Sequence, residues 1–109
     1  MTDPFAGSGW LLPRWPAPPR VRAVSTTRRG GVSVAPYDTL NLGDHVGDDP
    51  AAVRRNRVRL GEVLGLPAEP RWLQQVHGCE VLGDGEGAVP WRADAATSAV
   101  PGVVCAVLT

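Results

Sequence analysis

Two pairs of helix signals, Asp49-Pro50 and Gly65 with Pro67, bracket the stretch that most limits what this chain can fold into. Asp49 can cap a helix, and Pro50 fits the first helical position, where its missing N–H costs nothing. Gly65 suits the C-terminal stop and Pro67 the exit. The spacing predicts one helix between them. Val53, Leu60, Val63 and Leu64 fall on one stripe with Asn56 beside it, while Arg54, Arg55, Arg57 and Arg59 mostly decorate the rest. Those arginines read as solvated or paired with carboxylates. Helix is forbidden in residues 1–20 by Pro13, Pro16, Pro18 and Pro19. That segment reads as an extended arm from which Trp10, Leu11, Leu12 and Trp15 can pack on a core.

The other elements are extended. Val21 to Thr27 is β-branched with partial alternation and predicts a strand. Arg28-Arg29-Gly30-Gly31 breaks it. Two arginines there can face an anion or simply be solvated at a turn. Val32 to Asp48 reads as an irregular loop, long enough to be functional. Arg71 to Val76 predicts the next strand, with His77-Gly78 as its end or a turn. Glu80 to Leu82 resumes extended structure, Gly83 to Pro90 is a surface loop, and Trp91 to Thr97 returns to the core. Val103 to Thr109 follows a Pro101-Gly102 turn as a continuous apolar run, the pattern of a buried central strand. Domains seldom stop inside such a strand. The chain is therefore expected to be the N-terminal part of a longer domain of mixed α/β (α+β) class.

Composition removes several function classes. Eleven arginines, with no lysine, balance eleven acidic residues. A nucleic-acid or acidic-lipid binder would carry a basic excess, so neither is expected. Cys79 and Cys105 are too few for a disulfide scaffold. The N-terminus has no signal-peptide pattern and no apolar run is long enough to span a bilayer, so a cytoplasmic location is the expectation.

His77 and His45 are the only histidines. An imidazole can bind a metal or move a proton near neutral pH. Gly78, beside His77, would let the backbone turn or a ligand approach. If the strand ran on, Cys79 would share a face with His77, a weak half-site for zinc. Without a Cys-x-x-Cys pair, a closed structural zinc site is not expected within these residues, and Cys105, inside an apolar run, reads as a small core residue. There is no Gly-x-Ser-x-Gly, Walker or GxGxxG pattern.

Several ordered pieces carry a resemblance. They are Trp15-Pro16, Ser25 to Ser33, Pro36 to Gly43, His45 to Pro50, Val53 to Arg57, Trp72 to Gly78, Ala93-Asp94-Ala95 and Pro101 to Thr109. Together they resemble the bacterial YfiH-type laccase-domain family, also called polyphenol oxidase or purine nucleoside phosphorylase, over nearly the whole chain from Trp15 onward. The resemblance implies mixed β-sheets packed between helices, here incomplete at the C-terminus. It also implies a single catalytic metal, usually zinc with copper as the alternative, held by a His, a Cys and a second His. The Gln-Val-His-Gly histidine carries over to His77. The other two ligands would follow Thr109, and His45, Cys79 and Cys105 do not match them. The implied substrates are phosphate and the purine nucleosides adenosine, inosine, guanosine and methylthioadenosine, with adenosine deamination beside phosphorolysis. Arg28, Asn41 and Gln75 match positions near the family's site and are candidate substrate contacts. For Arg28 a structural turn role stands beside this, and for Asn41 and Gln75 loop hydrogen bonding does. Three other readings accompany the resemblance: an inactive short product, a metal-binding subunit completed by a partner, and a copper-dependent phenol oxidase.

Overall fold

The computed structural model describes residues 9–85, 87 and 89–109. The expectation of an extended arm falls partly outside them, over residues 1–8. The chain mixes helix and strand: helix α1 (Pro50–Leu64), then strands β1 (Arg71–Gln74), β2 (Val81–Leu82), β3 (Trp91–Arg92), β4 (Ala95–Ala96) and β5 (Cys105–Ala106). It separates into two compact units, one ending at Leu64 and the other running from Gly65 to Thr109.

In the first unit α1 forms where its end signals place it. The Asp49 carboxylate accepts the N–H of Ala51 at 3.0 Å, a cap of the kind that contributes about 1 kcal/mol. Gly65 closes the helix with φ of 60°, a backbone a side chain would resist. The face turned inward carries Ala52, Val53, Asn56 and Leu60, while Val63 and Leu64 are only half-buried. Arg57 does not belong to the solvated face. Its Nε and Nη2 both donate to the Leu42 carbonyl, at 2.9 and 2.8 Å, and so tie the helix to the loop before it.

That loop is organised around Asn56, which has no exposed surface. Its Oδ1 accepts the Val32 N–H at 2.8 Å, and its Nδ2 donates to Ser33 Oγ at 2.9 Å and to the Asn41 carbonyl at 2.8 Å. Ser33 in turn donates to Asp48 Oδ2. A buried amide is tolerated when all its bonds are made, and such a network then fixes one arrangement of the loop. Gly31 lets the backbone come this close. A Cβ there would overlap the Thr39 carbonyl oxygen and lie 2.5 Å from Asn56 Oδ1 and 2.6 Å from Leu40 Cα.

The strand expected over Val21 to Thr27 is reduced to one antiparallel bridge, Leu11 to Ser25. Both of its bonds form, at 2.8 and 2.9 Å. The next bonded pair would need a donor from Pro13, which has none. In the other direction Gly9 leaves the extended region with φ of 79°. In the segment read as an arm, Trp10 is buried and donates its indole N–H to the Arg29 carbonyl at 2.9 Å, whereas Leu11, Leu12 and Trp15 are exposed.

The second unit holds two small parallel sheets, of order β3-β1-β5 and β2-β4. β1 is central. Leu73 and Gln74 stand opposite Trp91 and Arg92 of β3, and Arg71 and Trp72 opposite Cys105 and Ala106 of β5. Leu73, Leu82 and Ala93 form its core, with Trp91 and Ala96 packed against them. The expectation of a buried central strand over Val103 to Thr109 is corrected. Only Cys105–Ala106 pairs, it pairs at an edge, and Val107 is 54% exposed. An apolar run reports the capacity for burial; burial itself needs a cover, and among the described residues nothing pairs with the outer edge of β5. Cys105 is likewise exposed rather than core.

Candidate functional site

β1, β3 and β5 run parallel, so their carboxyl ends lie at one side of the sheet. In open parallel sheets ligands bind outside that side. The residues that leave it are distinctive: Gln75 to Gly78 after β1, Asp94 after β3, and Val107 to Thr109 after β5. The Gln75 side chain bridges two of these ends by donating from Nε2 to the Leu108 carbonyl at 2.8 Å.

β1 stops at Gln74, short of the expected Val76, because Asp94 takes over the next backbone donors. Its Oδ1 accepts the N–H groups of Val76 at 3.0 Å and His77 at 2.6 Å, and its Oδ2 accepts that of Gly78 at 2.9 Å. His77 is held there with φ of 57°, the one described non-glycine residue with positive φ. For an L-residue this backbone costs about 1–2 kcal/mol and recurs at functional sites. The turn that sequence placed on Gly78 is therefore made by His77. Because the chain is no longer a strand at that point, the shared face expected for His77 and Cys79 does not form. Both side chains are exposed.

Asp94 is partly desolvated, which pushes its pKa up, but the N–H groups of Gly78, His77, Val76 and Glu80 outweigh this and hold it below the ordinary 3.8. Asp94 was the residue that sequence reading missed. Ala93-Asp94-Ala95 was visible as a short motif, but its partners lie 16 to 18 residues away.

The remaining candidates lie in the first unit. Arg28 and Asn41 line one shallow depression of about 190 Å³ together with Pro36, Tyr37, Asp38 and Leu40. The Arg28 carbonyl accepts the N–H groups of Thr39 and Leu40, both at 2.7 Å, so its backbone serves the turn while its side chain is exposed. The Asn41 side chain serves the loop: Nδ2 donates to the Gly43 carbonyl and to Asp48 Oδ2, and Oδ1 accepts the Gly43 N–H, each at 3.1 Å. His45 is exposed, with Nδ1 3.8 Å from Asp44. The structure thus brings Arg28 and Asn41 together in one unit and Gln75 and His77 together in the other.

Among the described residues no group of three or more His, Cys, Asp or Glu side chains stands close enough to hold a metal ion. The two exposed imidazoles, His45 and His77, belong to different units, and among the described residues neither has a complete ligand set around it. None of the described helices is long and apolar enough to cross a membrane.

Two further aspartates add to the pH dependence that Asp94 sets, in the same sense. The Ser33 hydroxyl holds the Asp48 carboxyl below its ordinary 3.8, against some desolvation and helped by Asn41 and the Asp49 N–H. Asp84 is lowered by the Ser98 hydroxyl and the Ala99 N–H, against desolvation, with Arg71 adding attraction. A carboxylate whose folded pKa is depressed stabilises the fold above its unfolded pKa and loses that contribution as pH falls through the folded one. The melting temperature is expected to stay level down to about pH 5 and to fall below the ordinary carboxylate pKa of about 3.8. Asp48→Asn should flatten that fall in a melting series across pH 6 to 2.5.

The fold and site define a small α/β chain that presents a strained histidine at the carboxyl ends of parallel strands. The same fold occurs in a solved Neisseria meningitidis protein, 44% identical with a TM-score of 0.80, and in YlmD of Geobacillus stearothermophilus, 38% identical with a TM-score of 0.72. These similarities cover 92% and 93% of this chain, and 41% and 42% of those proteins. The family described as multi-copper polyphenol oxidoreductase laccase matches residues 22–109, and the chain belongs to it. Similar curated proteins are a purine nucleoside phosphorylase of Pseudomonas aeruginosa, 56% identical over 102 residues, and the purine nucleoside phosphorylase YfiH of Escherichia coli, 54% identical over 100. They cover 94% and 91% of this chain, which spans 41% of the length of each.

Proposed function

We propose that this chain is part of a cytoplasmic purine nucleoside phosphorylase, and that His77 is one imidazole donor to its metal, zinc in the first instance and copper as the alternative. The observation that supports this best is the arrangement at His77: an exposed imidazole on a left-handed backbone, at the carboxyl end of the central parallel strand. The names of the similar proteins, purine nucleoside phosphorylases, support this reaction class. In phosphorolysis, phosphate attacks the anomeric carbon of the nucleoside. The glycosidic bond breaks, the sugar leaves as its 1-phosphate, and the purine takes up a proton. Inosine, guanosine, adenosine and methylthioadenosine are the proposed substrates, with adenosine deamination as a second activity. The remaining metal ligands are proposed to come from outside these 109 residues.

Arg28 is the proposed anion contact of the first unit, since a guanidinium matches phosphate geometry and its side chain is exposed. Asn41 in the first unit and Gln75 in the second are each proposed as substrate contacts. The family's description favours a second reading, a copper-dependent phenol oxidase. One pair of assays separates the two. The protein carrying this chain is expected to release hypoxanthine from inosine only when phosphate is present. Copper-dependent oxidation of a phenol without phosphorolysis would select the second reading.

A further inference from the structure

We propose that Asp94 is the positioning residue of His77: by binding the backbone N–H groups of Val76, His77 and Gly78, its carboxylate fixes the left-handed turn that aims the imidazole. The inference rests on reading His77 as a donor. Both partners of this clamp are anchored to the same ladder. Ala93, beside Asp94, is buried at 2% exposure and donates its N–H to the Gln74 carbonyl at 3.1 Å. Asp94 itself donates to the Glu80 carbonyl at 2.9 Å, and β4 begins at the next residue. The carboxylate is therefore fixed relative to the end of β1, and the turn is fixed relative to the carboxylate.

The chemistry requires an acid at this position. Two acceptor oxygens serve three donors from successive residues, at 2.6 to 3.0 Å. An asparagine keeps one acceptor oxygen, but its NH2 group faces an N–H that it cannot accept. Alanine leaves all three donors to water and nothing to oppose the unfavourable φ of His77. The imidazole then loses its fixed direction, although no atom of the imidazole has been changed.

The test is a cycle of variants in the full protein carrying this chain: Asp94→Ala, His77→Gly and the two combined. Glycine accepts positive φ without strain. Asp94→Ala is expected to lower the melting temperature less when His77 is present, because releasing the turn also relieves its unfavourable φ, than when glycine, which carries no such strain, stands there. An equal drop in both backgrounds would mean that Asp94 merely ties the strands together, and would overturn the proposal. Zinc titration and inosine phosphorolysis give the second readout. Asp94→Ala is expected to weaken both by about 10–100-fold, the usual effect of removing a group that orients a metal ligand, with Asp94→Asn in between. Unchanged zinc affinity and turnover in Asp94→Ala, with both lost in His77→Ala, would overturn the proposal while leaving the donor reading intact. If His77→Ala keeps both, the donor reading fails and the inference fails with it. Should Asp94→Ala not fold, the same cycle with Asp94→Asn decides.

Discussion

Asn56→Ala is expected to lower the unfolding free energy by about 3–5 kcal/mol, enough to unfold a marginally stable domain. The side chain has no exposed surface and makes three hydrogen bonds at 2.8 to 2.9 Å. Alanine would leave the Val32 N–H and the Asn41 carbonyl without that partner and take a donor away from Ser33. Each stranded group costs about 1–3 kcal/mol where water cannot reach it. The lost volume adds a cavity against Gly31, where the backbone already approaches Asn56 Oδ1. Asn56→Asp should fare no better, because it keeps the acceptor for Val32 but turns the donor for Ser33 and Asn41 into a buried charge. A comparison on the same helix isolates the effect. Val58 is 59% exposed, and Val58→Ala is expected to stay within about 0.5 kcal/mol. Urea unfolding of both variants, with the slope compared as well as the midpoint, checks this.

What sequence could show follows from the range of the interactions involved. The helix was legible because its determinants are local: Asp49 caps the N–H two residues on, and Gly65 takes the closing turn. The start of β1 at Arg71 was legible from β-forming residues following the helix exit. The end of β1 was not, because Asp94 closes it from 16 to 18 residues away. The helix pattern put Asn56 beside the apolar stripe, and its role in ordering the loop depends on partners 15 to 24 residues distant. Two strand expectations failed for opposite reasons. Val21 to Thr27 has β-forming residues, but Pro13 and Gly9 on the facing segment end the ladder after one bridge. Val103 to Thr109 has core-like residues, and a β-strand shows its full burial only when both edges and both faces are covered. At the site, His77 was legible as a residue, while its left-handed backbone was not, since the neighbouring Gly78 is the more obvious place for a turn.

His77→Ala is expected to cost far more in function than in stability. Its side chain is exposed, and alanine meets the same backbone strain that histidine does at φ of 57°, so melting should change little. Loss of a donor atom is a larger change than loss of a group that orients one, which by itself costs about 10–100-fold. Phosphorolysis and zinc affinity should therefore both fall by more than about a hundredfold. The decisive measurement is the rate of phosphate-dependent hypoxanthine release from inosine by the protein carrying this chain, wild-type against His77→Ala, with zinc content and melting temperature recorded on the same samples. A wild-type rate that collapses in the variant, together with lost zinc and a retained melt, is the predicted result. Undiminished phosphorolysis in a folded His77→Ala protein would contradict it.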